Sequence, residues 1–239
     1  MNYRLNVDNE KGRYLVIPEM EKDVFHFFGT REFSIDTGDI KDKLLTVKQV
    51  HGDNILVIDH EIKNLPAFIK EISNKGYDAI ITNQTDIILG IYTADCLPIL
   101  IADPKNGIIA SVHAGWRSAI SGITIKCIEI FLYFFKSSPY NISAGLGPCI
   151  GQCCFEVGEV VVRQLKDKYP YWKDLTIDKG NRRWMVDLAE LSERQLSGCG
   201  IQEENIHRID LCTMCNPSLF FSYRRERKKR GRMLSGIML

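Results

Sequence analysis

The sequence has no long hydrophobic run, no surplus of charge, no internal repeat and few histidines. Its most apolar helix-like stretch, residues 120–135, is interrupted by Ser121, Lys126 and Glu129, well short of the roughly 18 unbroken apolar residues that a membrane span needs. No segment is expected to cross a bilayer. The first residues include Asp8, Asn9, Glu10 and Lys11 where an export signal would need an apolar stretch, which argues against secretion. Lys and Arg number 31 against 30 Asp and Glu, a formal net charge of +1. That balance draws the chain neither to nucleic acid nor to an anionic membrane, so any anion site must be local. No Pro/Ser-rich linker or low-complexity tract divides the chain, and residues 1–239 read as a single domain.

What is present is the makings of a core: 45% of the 239 residues are hydrophobic and 26% charged. Eight cysteines without an export signal point to reduced thiols in a cytoplasmic protein, where metal or catalytic roles come ahead of disulfides. β-Branched runs at residues 14–17, 44–47, 54–58, 79–82, 87–92, 98–102 and 108–112 predict strands. Asn106-Gly107 supplies the positive φ angles of a tight turn, so residues 98–113 are expected to form one hairpin. From Ile120 onward Ile123, Cys127, Ile130 and Phe134 recur at spacings of three and four, predicting a helix of about four turns. Its aromatic residues, Phe131, Tyr133, Phe134 and Phe135, are expected in the core. Further helices are expected at 155–168 and 188–197, and extended segments at 142–146, 206–209, 219–223 and 233–238. The alternation gives an α+β fold with mixed β-sheets.

Three residues stand where strands end beside small or turn-forming neighbours: His51, Cys96 and His113. Two imidazoles and one thiolate suit Zn²⁺, and three protein ligands leave one position open for a water whose pKa the metal lowers towards neutrality. Spacing alone leaves another reading open, two hydrogen-bonded core histidines and a buried thiol.

The strings KQVHG, YTADCLPILIAD, VHAGWRS, GPCIGQCCFEVGEV and LCTMCNPSLFFSYRRE closely resemble the multicopper-polyphenol-oxidase or laccase-domain family, whose members are also described as purine nucleoside phosphorylases and peptidoglycan-editing factors. The resemblance implies a layered αββα domain with mixed sheets. It also implies that the zinc ligands are His51, Cys96 and His113, with Cu²⁺ the less favoured metal. The activity it implies is zinc-dependent phosphorolysis of adenosine, inosine and methylthioadenosine together with deamination of adenosine, so the partners are a purine nucleoside and phosphate. Deamination needs a proton-carrying carboxylate, for which Asp95 beside Cys96 is the candidate, provided that a turn begins there. Phosphate calls for an arginine fork. Arg31 in Phe-Gly-Thr-Arg is the first candidate and Arg117 the second, with Gln49 in KQVHG a further substrate contact. Glu32-Phe33-Ser34 departs from the Gly-Gly-Val-Ser loop of many relatives. Ser118 stands where they carry glycine, and is expected to cap a helix.

Other readings use the same residues. Cys96 could act as a nucleophile with His113 as its base, giving a Cys–His hydrolase, or the trio could hold a structural metal in a cell-wall (peptidoglycan precursor) editing factor. Copper phenol oxidation needs more imidazoles than five histidines supply, and His26, His60 and His207 show no His-x-His pairing. Replacing His113 by Ala separates these ideas, since a catalytic site should lose turnover with its fold intact and a structural site should unfold. The sequence leaves monomer and homodimer open.

Cys212-Thr213-Met214-Cys215, with Cys149, Cys153 or Cys154, has the inventory of a four-thiolate zinc site. Because the two groups lie about sixty residues apart, unlike the usual knuckles, these thiols are expected to be buried in apolar surroundings, as is Cys127. The basic run at 224–232 is expected to be a solvated hairpin tip.

Overall fold

In a computed structural model that describes residues 3–35, 40–227 and 231–239, the β-branched runs assemble into two six-stranded mixed sheets. The first runs in space Arg4–Asp8, Gly12–Val16, Phe25–Gly29, Met233–Met238, Ile88–Thr93, Leu44–Thr46. The second runs Ile206–Arg208, Ser143–Leu146, Leu97–Asp103, Ile108–Ala114, Ala79–Thr82, Ile55–Ile58. Three pairs are parallel, Leu44–Thr46 with Ile88–Thr93, Ser143–Leu146 with Ile206–Arg208, and Ile55–Ile58 with Ala79–Thr82. The other pairs within these two sheets are antiparallel.

Strand Leu97–Asp103 shows why residues 97–102 are an unbroken apolar run: all its residues are buried, because both faces of the strand are covered. Leu97, Ile99 and Ile101 point to a core shared with the helices. Leu100 and Ala102 point to a second core, where they meet Leu15, Phe28, Leu89 and Ile237 of the opposite sheet. Helices Trp116–Ser121, Ile123–Glu129, Glu159–Lys168 and Leu188–Gly198 contribute Ala119, Ile123, Leu165 and Leu191 to the first core. The outer face of the other sheet, with Phe27, Ile88 and Leu234, is covered by Phe33, Ile35 and the short helix Ile40–Lys43. The layers are helix, sheet, sheet, helix, the αββα arrangement that the resemblance implies.

Several local expectations are corrected. The helix expected from residue 120 is two helices, because Gly122 has φ 89° and both ends the first and opens the second. The chain then passes into a π-helical turn, Ile130–Phe134, which leaves Phe131 buried but Tyr133 72% and Phe134 56% exposed. Gly115, not Ser118, is the helix N-cap, and the Ser118 hydroxyl is buried without a hydrogen-bond partner among the described residues. Glu156–Gly158 is a strand paired with Arg183–Val186 before the helix Glu159–Lys168 begins. Residues 219–222 form no strand, and Ser222 caps a short helix, Tyr223–Glu226. Within the basic run, Arg224 donates to the Glu156 carbonyl and Arg225 to those of Thr213, Met214 and Phe220. These two arginines clamp the chain inward, and residues 228–230 lie outside the described residues. Among the described residues no helix is long and apolar enough to cross a membrane.

Candidate metal centre

Register builds the first half of the site. The hairpin pairs Leu97 with Ala114 and Pro98 with His113, so Cys96, entering one strand, and His113, near the end of the other, arrive at the same edge. The chain bends over residues 94–96, where Asp95 has φ 83°, immediately before Cys96. His51 comes from the loop between Leu44–Thr46 and Ile55–Ile58 and also has positive φ, 60°.

Asp78 gathers the three. It is fully buried just before strand Ala79–Thr82. Its carboxylate accepts from the backbone N–H groups of His51 at 2.9 Å, Gly52 at 2.7 Å and Val50 at 3.3 Å, and its Oδ1 lies 2.7 Å from His113 Nδ1. A carboxylate only accepts, so Nδ1 donates, and Nε2 of His113 is left to the site. The ligand atoms of His51, Cys96 and His113 all lie within 4.8 Å of one another. Cys96 Sγ is 3.8 Å from His51 Nε2, and the two imidazole rings sit edge to face at 4.8 Å. His113 is buried, Cys96 half-buried and His51 exposed, so the cluster opens on the His51 side.

Charge follows this geometry. Burial alone would raise the Asp78 carboxyl, but His113 and the N–H groups of Gly52 and His51 hold it below the ordinary range. Burial would likewise raise the Cys96 thiol, yet hydrogen bonds to His113 and His51 bring it down to about 7. His113 moves the other way. Its burial opposes charge, and the bonds to Asp78 and Cys96 override this and raise it to about 9. A thiolate held beside two nitrogens, with a carboxylate behind one of them, is a donor set that fits a borderline-soft divalent cation. Gly115 completes the wall. A Cβ there would sit 3.0 Å from His51 Cδ2 and 3.3 Å from Cys96 Sγ, so close approach, not φ, favours glycine, since a side chain would push these two ligands by a few tenths of an ångström.

The remaining predicted site residues are placed otherwise. Asp95 has both carboxylate oxygens taken, Oδ1 by the Thr213 hydroxyl at 2.6 Å and Oδ2 by the Ser222 hydroxyl at 3.0 Å and Arg224 N–H at 2.7 Å. Its partners are in the C-terminal segment, none in the trio. Arg31 donates to the Pro217 carbonyl, pairs with Glu226 at 2.8 Å and stacks over Phe221, so its fork is spent inside the protein. Gln49 is bonded at both ends to the backbone of Tyr92, pinning the loop that carries His51. Arg117 differs: it is exposed, lies over the Trp116 ring at 4.1 Å and comes two residues after Gly115. A separate cleft of about 560 Å³ is lined by Asp42, Lys43, Glu61, Lys63 and Asp86 among others, and none of the trio reaches it. Sequence reasoning missed Asp78 and Gly115. The available signal for Asp78 was an acid directly preceding a fully apolar strand, where an ionised group must find several donors.

Residues 30–239 match the family model described as "Multi-copper polyphenol oxidoreductase laccase". Among curated proteins, the chain is 32% identical over 197 residues to "Adenosine deaminase RL5" from an unknown prokaryotic organism, covering 82% of this chain and 75% of that one. It is 31% identical over 191 residues to "Purine nucleoside phosphorylase YlmD" of Geobacillus stearothermophilus, covering 80% and 70%. Among solved structures, the Bacillus licheniformis hypothetical protein YfiH superposes with a TM-score of 0.87 at 25% identity, covering 98% of each chain.

Proposed function

We propose that this chain, which belongs to the multi-copper polyphenol oxidoreductase laccase family, is a metal-dependent enzyme of purine nucleosides that releases the base by phosphorolysis and also deaminates adenosine. His51, Cys96 and His113 would hold the metal, and two imidazoles with one thiolate favour Zn²⁺ over Cu²⁺. The observation that carries this reading is the convergence of three donor atoms within 4.8 Å, oriented by the buried Asp78 and open on the His51 side. Relatives named for adenosine deamination and purine nucleoside phosphorolysis supply the substrate class. Zn²⁺, when bound, supplies Lewis acidity, enough to lower the pKa of a water from about 15.7 to roughly 7.

The chain's own residues do the rest. Asp78 keeps a proton on His113 Nδ1, fixing the ring so that Nε2 faces the site. Arg117, steadied on Trp116, is the cation available to a phosphate or to the negative charge that develops as the glycosidic bond breaks. In this reading Arg117 replaces Arg31 as the phosphate contact. Asp95 and Gln49 become positioning residues, Asp95 for the turn before Cys96 and Gln49 for the loop before His51. Eight free thiols accord with a cytoplasmic location.

Metal analysis of the purified protein, with chromatography of adenosine incubated with and without phosphate, tests the proposal. Adenine appearing only with phosphate supports phosphorolysis, and inosine supports deamination. Neither product from a protein with stoichiometric zinc defeats the assignment. Arg117→Ala should raise the KM for phosphate about tenfold or more while sparing deamination.

One observation favours a second reading. The Cys96 sulfur and a His113 ring nitrogen lie within 4.8 Å, and their mutual hydrogen bonding lowers the thiol and raises the imidazole, the pairing of a thiolate nucleophile and its imidazolium. A metal-locked thiolate cannot attack a carbonyl. Ester hydrolysis that rises when a chelator removes the metal would support the hydrolase.

A further inference from the structure

Strands Ser143–Leu146 and Ile206–Arg208 are parallel neighbours, and the loops that follow them keep that alignment beyond the sheet. Cys149 and Cys212 form a parallel bridge, with Thr213 N–H donating to the Cys149 carbonyl at 2.9 Å. The first loop then turns at Gly151, where Cys154 N–H donates back to the Gly151 carbonyl at 2.9 Å. This turn presents Cys153 and Cys154, and the second loop presents Cys212 and Cys215. Their four sulfurs all lie within 4.8 Å of one another. Cys215 Sγ is 3.3 Å from that of Cys154 and 3.8 Å from that of Cys153. Tetrahedral Zn–S bonds of about 2.3 Å place neighbouring sulfurs roughly 3.8 Å apart.

The backbone supplies this cluster with a donor. Gly151 N–H donates to Cys212 Sγ at 3.3 Å, the outer hydrogen bond that steadies a metal-bound thiolate. A side chain at residue 151 would place its Cβ 3.3 Å from both Cys153 Sγ and Cys212 Cβ, so glycine lets the loop close on the sulfurs without displacing them. Cys153 and Cys215 are exposed and the other two half-buried, contrary to the expectation of buried apolar thiols. Cys149 is buried among apolar residues, with its thiol turned to the Ile150 carbonyl.

We propose that Cys153, Cys154, Cys212 and Cys215 bind a second Zn²⁺ in a closed tetrathiolate site that fastens loop 149–154 to loop 212–216. Binding releases the thiol protons to solvent and changes no oxidation state. Four protein ligands leave no open position, so this ion is structural. It would also brace the bend before Cys96, because Thr213, between two of the ligands, donates to Asp95 at 2.6 Å. The inference is independent of the reading of His51, Cys96 and His113.

Cobalt substitution of the full-length protein, purified under reducing conditions, tests it. Wild type should take up two Co²⁺ per chain. The His113→Asn variant, which disables the trio, should retain one, together with most of the thiolate-to-cobalt charge-transfer absorption. The Cys212→Ser/Cys215→Ser double variant should keep one Co²⁺ and lose most of that absorption. Should the double variant fail to fold, the wild-type stoichiometry and the His113→Asn spectrum still decide. One Co²⁺ in wild type, with the absorption vanishing in His113→Asn, would overturn the proposal. So would a mass lower by two hydrogens that maps to a Cys215 disulfide in protein never exposed to oxidant.

Discussion

At His51, Cys96 and His113 the donors are mixed, whereas at Cys153, Cys154, Cys212 and Cys215 they are all sulfur, and the supports differ accordingly. The first cluster rests on a buried carboxylate that reaches one ligand through its side chain and another through its backbone. The second rests on a paired loop and an amide N–H. Their charge states diverge in step. Burial would raise Cys96, but two imidazoles bring it to about 7. Partial desolvation of its sulfur, together with the neighbouring Cys212 and Cys215 thiols, pushes Cys153 up to about 11 even though the residue as a whole is exposed. The difference separates two uses of cysteine: imidazole and carboxylate neighbours ready one thiolate in a site with a free face, while four sulfurs close a site on itself.

The contrast breaks most sharply at His113. His113→Asn retains an amide that can donate to Asp78 but removes the distal nitrogen, so nucleoside turnover should fall by more than about a hundredfold. Circular dichroism should show an unchanged fold, and unfolding instead would make the trio structural. Asp78→Asn should weaken zinc binding at the trio by about 10–100-fold, read by competition with a chromogenic chelator, while the four-sulfur spectrum stays as it is. A comparable loss at both clusters would erase the distinction. Gly115→Ala leaves the backbone unstrained, at φ −68°, but crowds His51 and Cys96. A loss of trio affinity no greater than about tenfold is expected.

The finest probe is pH. In metal-free protein the Cys96 thiol is depressed from 9.0 to about 7, so its thiolate survives down to that pH and is lost by about tenfold per unit below it. Iodoacetamide labelling of Cys96 should therefore rise with pH, level off above about 7, and precede labelling of Cys153, which stays protonated until about 11. Zinc affinity of the trio should fall from about pH 9 downward, where protons first compete for His113, raised to about 9, and more steeply below about 7, where they also compete for the Cys96 sulfur. Simultaneous labelling of the two cysteines would contradict the assigned electrostatics.

Much of this was legible in the sequence wherever a property is local. The apolar run at 98–102 announced a strand, and the motifs around His51, Cys96 and His113 marked residues that do meet. What escaped depended on partners distant along the chain. Asp78 looks like any acid before a strand until the N–H groups of His51 and Gly52 arrive. Arg31 looked free because Glu226, its ion-pair partner, lies near the other end of the chain. Cys153 and Cys215 looked too far apart because the parallel pairing that joins their loops cannot be read from spacing. Other errors were local: the three-and-four spacing of apolar residues ran through Gly122, whose positive φ divides the helix.

Because the Asp78 carboxylate holds both the His51 loop and the His113 ring through contacts that need no ion, the entropy of assembling those donors is spent when the chain folds, not when a cation arrives. For the proposed metal centre this means a preorganised set of donors, in which exchange of one ion for another would require no refolding.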